Sequence, residues 1–268
     1  MHPRVSVSGL CFPELSATDA IEAIAGLGAA STSVTGAKAR AAGADAVVAA
    51  ARRHGVKIVT TTGALAFDLS SAETCGASRR RAERDIDLAA AVGATVMYGL
   101  TGPRTADRWD ACADAYVNAA GDLAGYAAGR GVRLAIEPTS WLYADLTFIH
   151  TFHDALLVAP RAGMAICLDA FHVWTEAGLR EEIAAHTSLI AHVQLSDMTR
   201  GSRSLPCRAV PGDGDVPLAA VVRWLLDAGY PGVFDLELNG PAIDAVGHRV
   251  AAARAANWLD KLLSEAGA

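Results

Sequence analysis

Residues 164–172 read MAICLDAFH, a short apolar run that ends with a carboxylate at Asp169. Three other runs have the same form and also end on a polar residue: RLAIEP (133–138) with Glu137, AHVQLSD (191–197) with Gln194, and VFDLELN (233–239) with Glu237. A β-strand sends successive side chains to opposite faces, and in each run large apolar residues occupy the positions next to the polar one. We therefore expect the four polar groups to share one face while the large apolar side chains pack on the other.

The rest of the chain repeats this unit of one strand and one helix. Strand patterns occur at 5–12, 30–36, 56–62, 94–100, 133–138, 164–170, 189–197 and 233–239. Helical patterns lie near 18–28 and at 43–55, 78–92, 107–130, 148–159, 178–187, 217–228 and 243–265. Eight strands alternating with eight helices in 268 residues predict an α/β fold, a (β/α)8 TIM barrel that forms a single domain over residues 1–268.

A doubly wound open sheet is the alternative architecture. Such a sheet usually carries a glycine-rich loop after its first strand, but SGLCFPEL at 8–15 contains no GxGxxG, and the chain has no GxxxxGK[ST]. One long irregular stretch, 198–216, follows the seventh strand pattern. Loops of that length in a compact barrel are usually functional. The barrel is therefore the preferred fold, with a functional loop after its seventh strand.

Composition and charge limit the class of protein. Hydrophobic residues make up 52% of the chain and charged residues 19%, and the formal net charge is −6. An acidic balance disfavours binding to nucleic acid or to an anionic membrane, because affinity for phosphates needs clustered Lys and Arg. The predicted partner is a small molecule, and formation of a homo-oligomer is left open.

Cysteine usage and the absence of sorting signals favour a cytoplasmic protein. The five cysteines are scattered and form no CxxC pair, which suits a reducing compartment better than a disulfide framework. The segment MHPRVSVSG at 1–9 lacks the apolar region of a secretory signal. No apolar run reaches the roughly 18–20 residues that a membrane-spanning helix needs.

Three carboxylates and one amide at a single mouth predict a divalent metal site. In TIM barrels, chemistry takes place at the carboxyl-terminal ends of the strands, where Glu137, Asp169, Gln194 and Glu237 are expected to lie. Any one of them alone would be interpreted as a solvated loop residue. Three buried carboxylates together need a compensating cation, since burial of an unpaired charge is costly. Oxygen donors suit Mn²⁺, with Mg²⁺ and Co²⁺ as alternatives, rather than a thiolate-bound structural zinc.

Three further residues are candidates for contacts with a substrate. His172, in LDAFH, becomes a plausible hydrogen-bond donor next to a metal carboxylate, although a loop histidine alone more often packs or caps. Arg208, in the long loop, could fold over the mouth and hold substrate hydroxyls or a carboxylate, although a loop arginine is generally solvated. Trp141 could form an apolar wall for a sugar ring, although such an aromatic is as often simply packing.

His192 is the competing metal ligand. It lies two residues before Gln194, so its side chain is expected to point to the same inner face of the strand, one layer deeper in the barrel. A structural role is the simpler interpretation, and a ligand role follows only if the strand register differs from the one assumed.

Taken together, these motifs resemble the sugar isomerase/epimerase superfamily of xylose isomerase-like barrels. The resemblance is carried by IEP, LDAFH, HVQLSD followed by R-x-x-PG-x-G, and DLEL, all within 133–240. The HxQ form is most similar to hydroxypyruvate isomerases and ketose 3-epimerases. The resemblance implies a single divalent metal ion bound by Glu137, Asp169, Gln194 and Glu237. It also implies that His172 and Arg208 contact the substrate.

The function that this resemblance implies is a metal-dependent isomerase or epimerase. The substrate would be a ketose, a polyol-derived ketone or a small hydroxy-keto compound. A phosphorylated substrate is disfavoured by the sequence itself, because the loops after the last two strands carry PGDGD and NGPAID, which are acidic rather than basic. Glu137 and Glu237 would act as the acid and base that transfer a proton through a metal-stabilised enediolate. A dehydratase or lyase of the same superfamily is the alternative. An abasic-site endonuclease and a barrel that only binds a ligand rank lower, because the chain is acidic and its ligand set is complete.

Overall fold

The computed structural model describes residues 1–268, and eight of its strands are parallel and form a closed barrel. The barrel strands are β1 (Val5–Ser8), β2 (Ser31–Thr35), β3 (Lys57–Thr62), β4 (Val96–Gly99), β5 (Arg133–Ile136), β6 (Ala165–Asp169), β7 (Ile190–Leu195) and β10 (Phe234–Leu236). Two short strands, β8 (Asp197–Met198) and β9 (Arg208–Ala209), pair antiparallel as a ribbon above the barrel. The order around the barrel is β1-β10-β7-β6-β5-β4-β3-β2, which confirms the TIM barrel and excludes the open sheet.

Helices connect the strands. They are α1 (Ala17–Gly26), α2 (Gly36–Ala42), α3 (Ala44–His54), α4 (Ala72–Ala91), α5 (Trp109–Ala120), α6 (Leu123–Ala128), α7 (Phe152–Val158), α8 (Ala170–Val173), α9 (Leu179–His186), α10 (Leu218–Asp227), α11 (Pro241–Val246) and α12 (His248–Ala266). No helix combines the length and the apolar character that a membrane crossing needs.

The structure differs from the sequence prediction at several helices, and the single-turn helix α8 after β6 was not predicted. The single helices predicted over 107–130 and 243–265 are each two helices, interrupted at Gly121 and Gly247. These glycines have φ of +49° and +88°, which lies outside the helical region and is accessible mainly to glycine. Helix α2 was not predicted. It is short and begins at a cap in which the Thr35 hydroxyl accepts the backbone N–H of Lys38 at 3.2 Å.

Large apolar side chains cover the outside of the barrel and pack against the helices. Val7, Ile136, Leu168, Val193 and Leu236 are fully buried members of one continuous hydrophobic core. The alternate positions of the strands point inward and carry small or polar groups: Ser6, Ser33, Thr60, Tyr98, Ala135, Cys167, His192 and Asp235. The barrel interior is therefore polar in its upper part, and it can support further polar groups at its mouth.

Close contact between backbones narrows the barrel where β3 and β4 end. A Cβ atom added to Gly99 would clash with the carbonyl oxygen of Gly63, and a Cβ added to Gly63 would clash with the Met97 side chain. Neither glycine has a positive φ, so the requirement is for space rather than for backbone freedom. The wall of the mouth at this point consists of main chain.

We expect Gly99→Ala to destabilise the protein by about 1–3 kcal/mol, because its methyl group must displace the backbone of β3. Gly26→Ala is the matched control, since nothing lies within 4 Å of a Cβ at that position near the end of α1. The control should be neutral or stabilising by up to about 1 kcal/mol. Urea unfolding measures both changes, and equal stabilities for the two variants would contradict the steric argument.

Candidate active site

Four polar side chains from adjacent barrel strands meet at the carboxyl-terminal mouth. Glu137, Asp169, Gln194 and Glu237 are 8%, 0%, 0% and 6% exposed, respectively. They follow or end β5, β6, β7 and β10, which are neighbours in the barrel. Three carboxyl groups are thus removed from bulk water within a small volume, which is unfavourable unless positive charge compensates.

The parallel register brings these side chains to the same end of the barrel. Asp169 on β6 is paired with Gln194 on β7, and Gln194 is paired in turn with Asp235 on β10. Glu237 lies two residues beyond Asp235, and its backbone N–H donates to the carbonyl of Leu195 at 3.1 Å. Residues two apart on a strand point to the same side, so Glu237 lies on the inner face one layer above Asp235.

Arg208 supplies a positive charge inside this cluster. One of its terminal nitrogens lies 2.7 Å from a carboxylate oxygen of Asp169 and 2.9 Å from a carboxylate oxygen of Glu237. The other donates to the hydroxyl of Ser196 at 2.7 Å, and the guanidinium lies 4.4 Å from the ring centre of Phe171. The β8–β9 ribbon carries Arg208 back over the strand ends, so the predicted loop arginine is buried in the site.

His172 lies beside the carboxylates as a neutral imidazole. Its Nε2 atom is 3.6 Å from Asp169 and 3.9 Å from Glu137, and the side chain is only 4% exposed. Burial lowers the pKa of His172 to about 4, although Asp169 acts in the opposite direction. Tyr143 and Phe171 contact the ring edge-to-face on either side. The imidazole is therefore held in place and uncharged at neutral pH.

Gln194 is held by hydrogen bonds at both ends of its amide. Its Nε2 donates to the Tyr98 hydroxyl at 2.9 Å and to the Glu237 carboxylate. Its Oε1 accepts the thiol of Cys167 at 3.0 Å. The amide nitrogen thus faces the carboxylates, and Gln194 would have to rotate its amide by half a turn to present its oxygen to a cation there.

The three carboxyl groups differ in their affinity for protons. Burial and the neighbouring Glu237 raise the pKa of Glu137 well above its ordinary value. Burial also raises the pKa of Glu237 to about 7, even though Arg208 acts to lower it. Burial acts to raise the pKa of Asp169 too, but Arg208, His172 and the backbone N–H of Phe171 together outweigh burial, and the pKa is lowered. Carboxyl groups with separated pKa values are suited to acid and base roles.

A second polar layer lies below the mouth. The Asp235 carboxylate, fully buried, accepts hydrogen bonds from the hydroxyls of Ser6 and Ser33, each at 2.6 Å. The Nε2 atom of His192 lies 3.4 Å from the same carboxylate, and its Nδ1 atom is 3.0 Å from the hydroxyl of Thr60. The structure therefore places His192 in this lower layer and does not bring it among the carboxylates of the mouth.

Sequence reasoning missed Asp235 and Tyr98. A signal for Asp235 exists, because FDLE places it two residues before Glu237 and therefore on the same face. Tyr98 stacks on His192 with ring centres 5.8 Å apart and also accepts the hydrogen bond from Gln194. Its role depends on contacts across the barrel, which the local pattern of β4 does not contain.

Two cavities open from the carboxylate cluster. One of about 400 Å³ lies toward β3 and β4, and one of about 270 Å³ lies toward the loops after β5 and β10 and toward the start of β9. Both are lined by Glu137, Glu237, Leu100 and Leu146, so the two carboxyl groups stand where the cavities meet. A larger groove of about 880 Å³ lies along α1 and contains none of the predicted site residues.

Trp141 lines neither of these cavities. It is 72% exposed on a 3₁₀ turn, Trp141–Tyr143, that follows β5. Tyr143, two residues later, lines the smaller cavity together with Thr139 and Asn239. The structure thus brings an aromatic from the predicted segment to the mouth, but the residue is Tyr143.

The donor set fits a divalent cation. Glu137, Asp169 and His172 each offer an atom within 4.8 Å of the others. Adding Glu237 makes three carboxyl groups against the single guanidinium of Arg208, which leaves negative charge uncompensated. This group of possible ligands differs from the predicted set. The amide oxygen of Gln194 faces away from the carboxylates, whereas His172 offers a ligand atom close to those of Glu137 and Asp169. A hard cation with oxygen and imidazole ligands would satisfy either set.

The closed parallel barrel is a TIM barrel, and the sequence identifies the family of this fold to which it belongs. Residues 18–262 match the model of the family described as "Xylose isomerase-like TIM barrel". The chain belongs to this family, which confirms the resemblance inferred from its motifs. A search of curated protein sequences finds no match.

Solved structures share the fold over nearly the whole chain. Protein SMc04130 from Sinorhizobium meliloti 1021 superposes with a TM-score of 0.82 and 22% identity, covering 94% of this chain and 97% of that chain. An IolI protein with a bound zinc atom gives 0.83 and 16%, covering 98% of both chains. A D-allulose 3-epimerase from Methylomonas sp. gives 0.78 and 16%, covering 97% of this chain and 98% of that chain. At identities this low the comparisons establish only the fold, and the reaction has to be inferred from the residues of the site.

We expect Asp235→Ala to lower the free energy of unfolding by about 3–5 kcal/mol, because it leaves buried hydrogen-bond donors without their acceptor. Asp213→Ala removes a carboxylate from an exposed ion pair with Arg254, in which the side chains are 42% and 48% exposed. That control should cost less than about 1 kcal/mol. Chemical denaturation of the two variants tests the difference, and a small loss for Asp235→Ala would mean that the lower layer is not stabilising.

Proposed function

We propose that the protein is a divalent-metal-dependent isomerase or epimerase of a ketose or a small hydroxy-ketone. The observation that carries this proposal is the position of Glu137 and Glu237. Both are buried, both have raised pKa values, and both line the two cavities that meet at the mouth. A substrate that spans the mouth would contact both carboxyl groups.

The residues that would hold the cation are Glu137, Asp169, Gln194 and Glu237, with His172 as a further donor at the same point. Mn²⁺ suits this mixture of oxygen and imidazole donors, and Mg²⁺ and Co²⁺ are alternatives. When bound, the cation would supply Lewis-acid stabilisation of negative charge on substrate oxygens. The zinc atom of the IolI structure supports a metal in this fold, although it is an observation on that protein.

Glu137 and Glu237 would carry the proton. One carboxylate takes a proton from the carbon next to the substrate carbonyl. In an isomerisation the other carboxyl group gives a proton to the carbonyl carbon, and the proton of the neighbouring hydroxyl moves to the former carbonyl oxygen. In an epimerisation the other carboxyl group returns a proton to the same carbon on its opposite face. A pKa of about 7 for Glu237 suits either role near neutral pH, because the protonated and ionised forms are both populated.

Arg208 and His172 would orient the substrate. The Nε atom of Arg208 and the Nδ1 atom of His172 are buried and have no hydrogen-bond partner within the protein. Unpaired buried polar atoms are unfavourable, so a ligand that pairs with them gains affinity. Substrate hydroxyl or carbonyl oxygens are suitable partners for both groups. The fold shared with a D-allulose 3-epimerase supports a substrate of this kind.

The function is tested by a metal analysis of the purified protein together with a substrate screen. The screen should include ketoses, inososes and hydroxypyruvate, with added Mn²⁺ and with a chelator. We expect turnover of at least one compound that depends on the metal. In deuterated water an isomerase or epimerase product retains its oxygen atoms, whereas the product of a dehydratase is lighter by one water. Loss of water would replace the proposal with the dehydratase alternative.

We expect Glu137→Gln and Glu237→Gln each to lower kcat by at least about 10²-fold, because each removes a proton-transfer group. The replacements keep the size of the side chain, so circular dichroism and the melting temperature should report a folded protein. Glu265→Gln is the control, since that residue lies in an exposed pair with Lys261 near the end of α12. Activity near the wild-type level in either site variant would end this mechanism.

A second prediction concerns metal affinity. We expect Arg208→Gln to bind Mn²⁺ about tenfold more tightly than the wild type, because the guanidinium now contacts two of the proposed ligands and repels a cation. Titration calorimetry on chelator-treated protein measures the dissociation constants. Arg254→Gln removes an exposed arginine that pairs with Asp213 and should leave the affinity unchanged. Weaker binding by Arg208→Gln would mean that Arg208 organises the ligands instead of competing for them.

A further inference from the structure

Arg81 lies at the larger of the two mouth cavities and has no assigned role. It belongs to α4, the helix that follows β3, and its side chain lines the cavity of about 400 Å³. Glu137 and Glu237 line the same cavity. The cavity therefore has one cationic side chain and two carboxyl groups among its lining residues, and its remaining lining residues are uncharged.

Arg81 is exposed and forms no ion pair or hydrogen bond within the protein, and the same is true of Arg80 and Arg84 on this helix. Of these three arginines, only Arg81 lines the cavity. Arg79, on the same helix, contacts Glu83 at 3.2 Å and the carbonyl of Ala120 at 3.3 Å. The acidic residue one turn after Arg81 is Asp85, which would be its natural partner. The carboxylate of Asp85 is already engaged, however, and its partners are the guanidinium of Arg40 and the backbone N–H of Ala64.

The hydrogen bond from Ala64 to Asp85 also fixes the cavity wall. It measures 2.9 Å and ties the loop after β3 to α4, the helix that carries Arg81. The wall between Arg81 and the carboxyl groups is formed by small or apolar residues: Gly63, Ala64, Leu65, Ala66 and Gly99. No side chain of this wall offers a charge, so the guanidinium is the group that can pair with a charged substituent.

We propose that Arg81 recognises an anionic end group of the substrate and that the natural substrate is an acidic hydroxy-ketone such as a keto-sugar acid. This inference rests on the proposed function. In the proposed reaction the cation and the hydroxy-ketone group of the substrate occupy the junction of the cavities, so the charged end of the substrate lies away from it. The hydroxy-ketone part is then directed toward Glu137 and Glu237. A guanidinium pairs with a carboxylate through two parallel hydrogen bonds, and it can also pair with a phosphate.

The test compares three sugars that differ only at carbon 6. D-fructose carries a neutral hydroxymethyl group there, D-fructuronate carries a carboxylate and D-fructose 6-phosphate carries a phosphate ester. Dissociation constants are measured by calorimetry on the manganese-loaded protein, together with turnover. We expect at least one of the two anionic sugars to bind at least tenfold more tightly than fructose, and the better of the two identifies the end group.

Substitution on α4 assigns that preference to one residue. Arg81→Gln should lower the ratio of the anionic-sugar affinity to the fructose affinity at least fivefold, and Arg81→Lys should retain part of it. Arg84→Gln removes the same charge from an exposed position on the same helix outside the cavity, and should leave the ratio unchanged. A ratio near one in the wild type, or an equal loss in both glutamine variants, would overturn the role of Arg81.

The outcomes separate this inference from the function on which it rests. If fructose and both anionic sugars bind equally and are turned over, the proposed function stands and the role of Arg81 falls. If none of the three binds and the wider screen finds no metal-dependent turnover, the proposed function falls and this inference falls with it. If another ketose is the substrate, the same comparison is made with its own uronate and phosphate.

Discussion

Charge balance at the mouth of the barrel is the constraint on which the rest of the structure depends. Three buried carboxyl groups face a single guanidinium that contacts two of them. The elements around this cluster are arranged to hold it in place: the β8–β9 ribbon returns Arg208 to the strand ends, and α8 presents His172 to Asp169. Burial raises the pKa of Glu137 and Glu237, so these two carboxyl groups hold their protons more strongly than free glutamates do, and a cation bound there would take the place of those protons.

The polar interior of the barrel is the support for that mouth. Barrel interiors are commonly filled with large branched apolar residues. Here the upper interior instead contains serine and threonine hydroxyls, a histidine and a fully buried aspartate linked by hydrogen bonds. This layer fixes the positions of Gln194 and Glu237 from below, since Asp235 and His192 each lie two residues earlier on the same strands. Stability and site geometry therefore depend on the same hydrogen bonds.

Local pattern was sufficient for the fold and for the residues that meet at the mouth. The alternation of side chains in a strand is a local rule, so IEP, CLDA, HVQL and DLEL could each be assigned a face without knowledge of the others. The arrangement within the cluster could not be predicted in this way. Whether Gln194 presents its oxygen or its nitrogen depends on Tyr98 and Cys167 across the barrel. The preference for Tyr143 over Trp141 depends on the turn after β5, and the breaks at Gly121 and Gly247 depend on single φ angles.

The close packing of main chain at the adjacent ends of β3 and β4 has a consequence for how this scaffold can diversify. Gly63 and Gly99 touch through their main chains, so the width of the larger cavity on that side is set by the barrel itself. Natural variation or directed evolution cannot reshape this wall by exchanging side chains without disturbing the strands. New substrate preferences must therefore arise from substitutions on the helices and loops that surround the opening, where they cost little stability. The spacing between β3 and β4 stays the same.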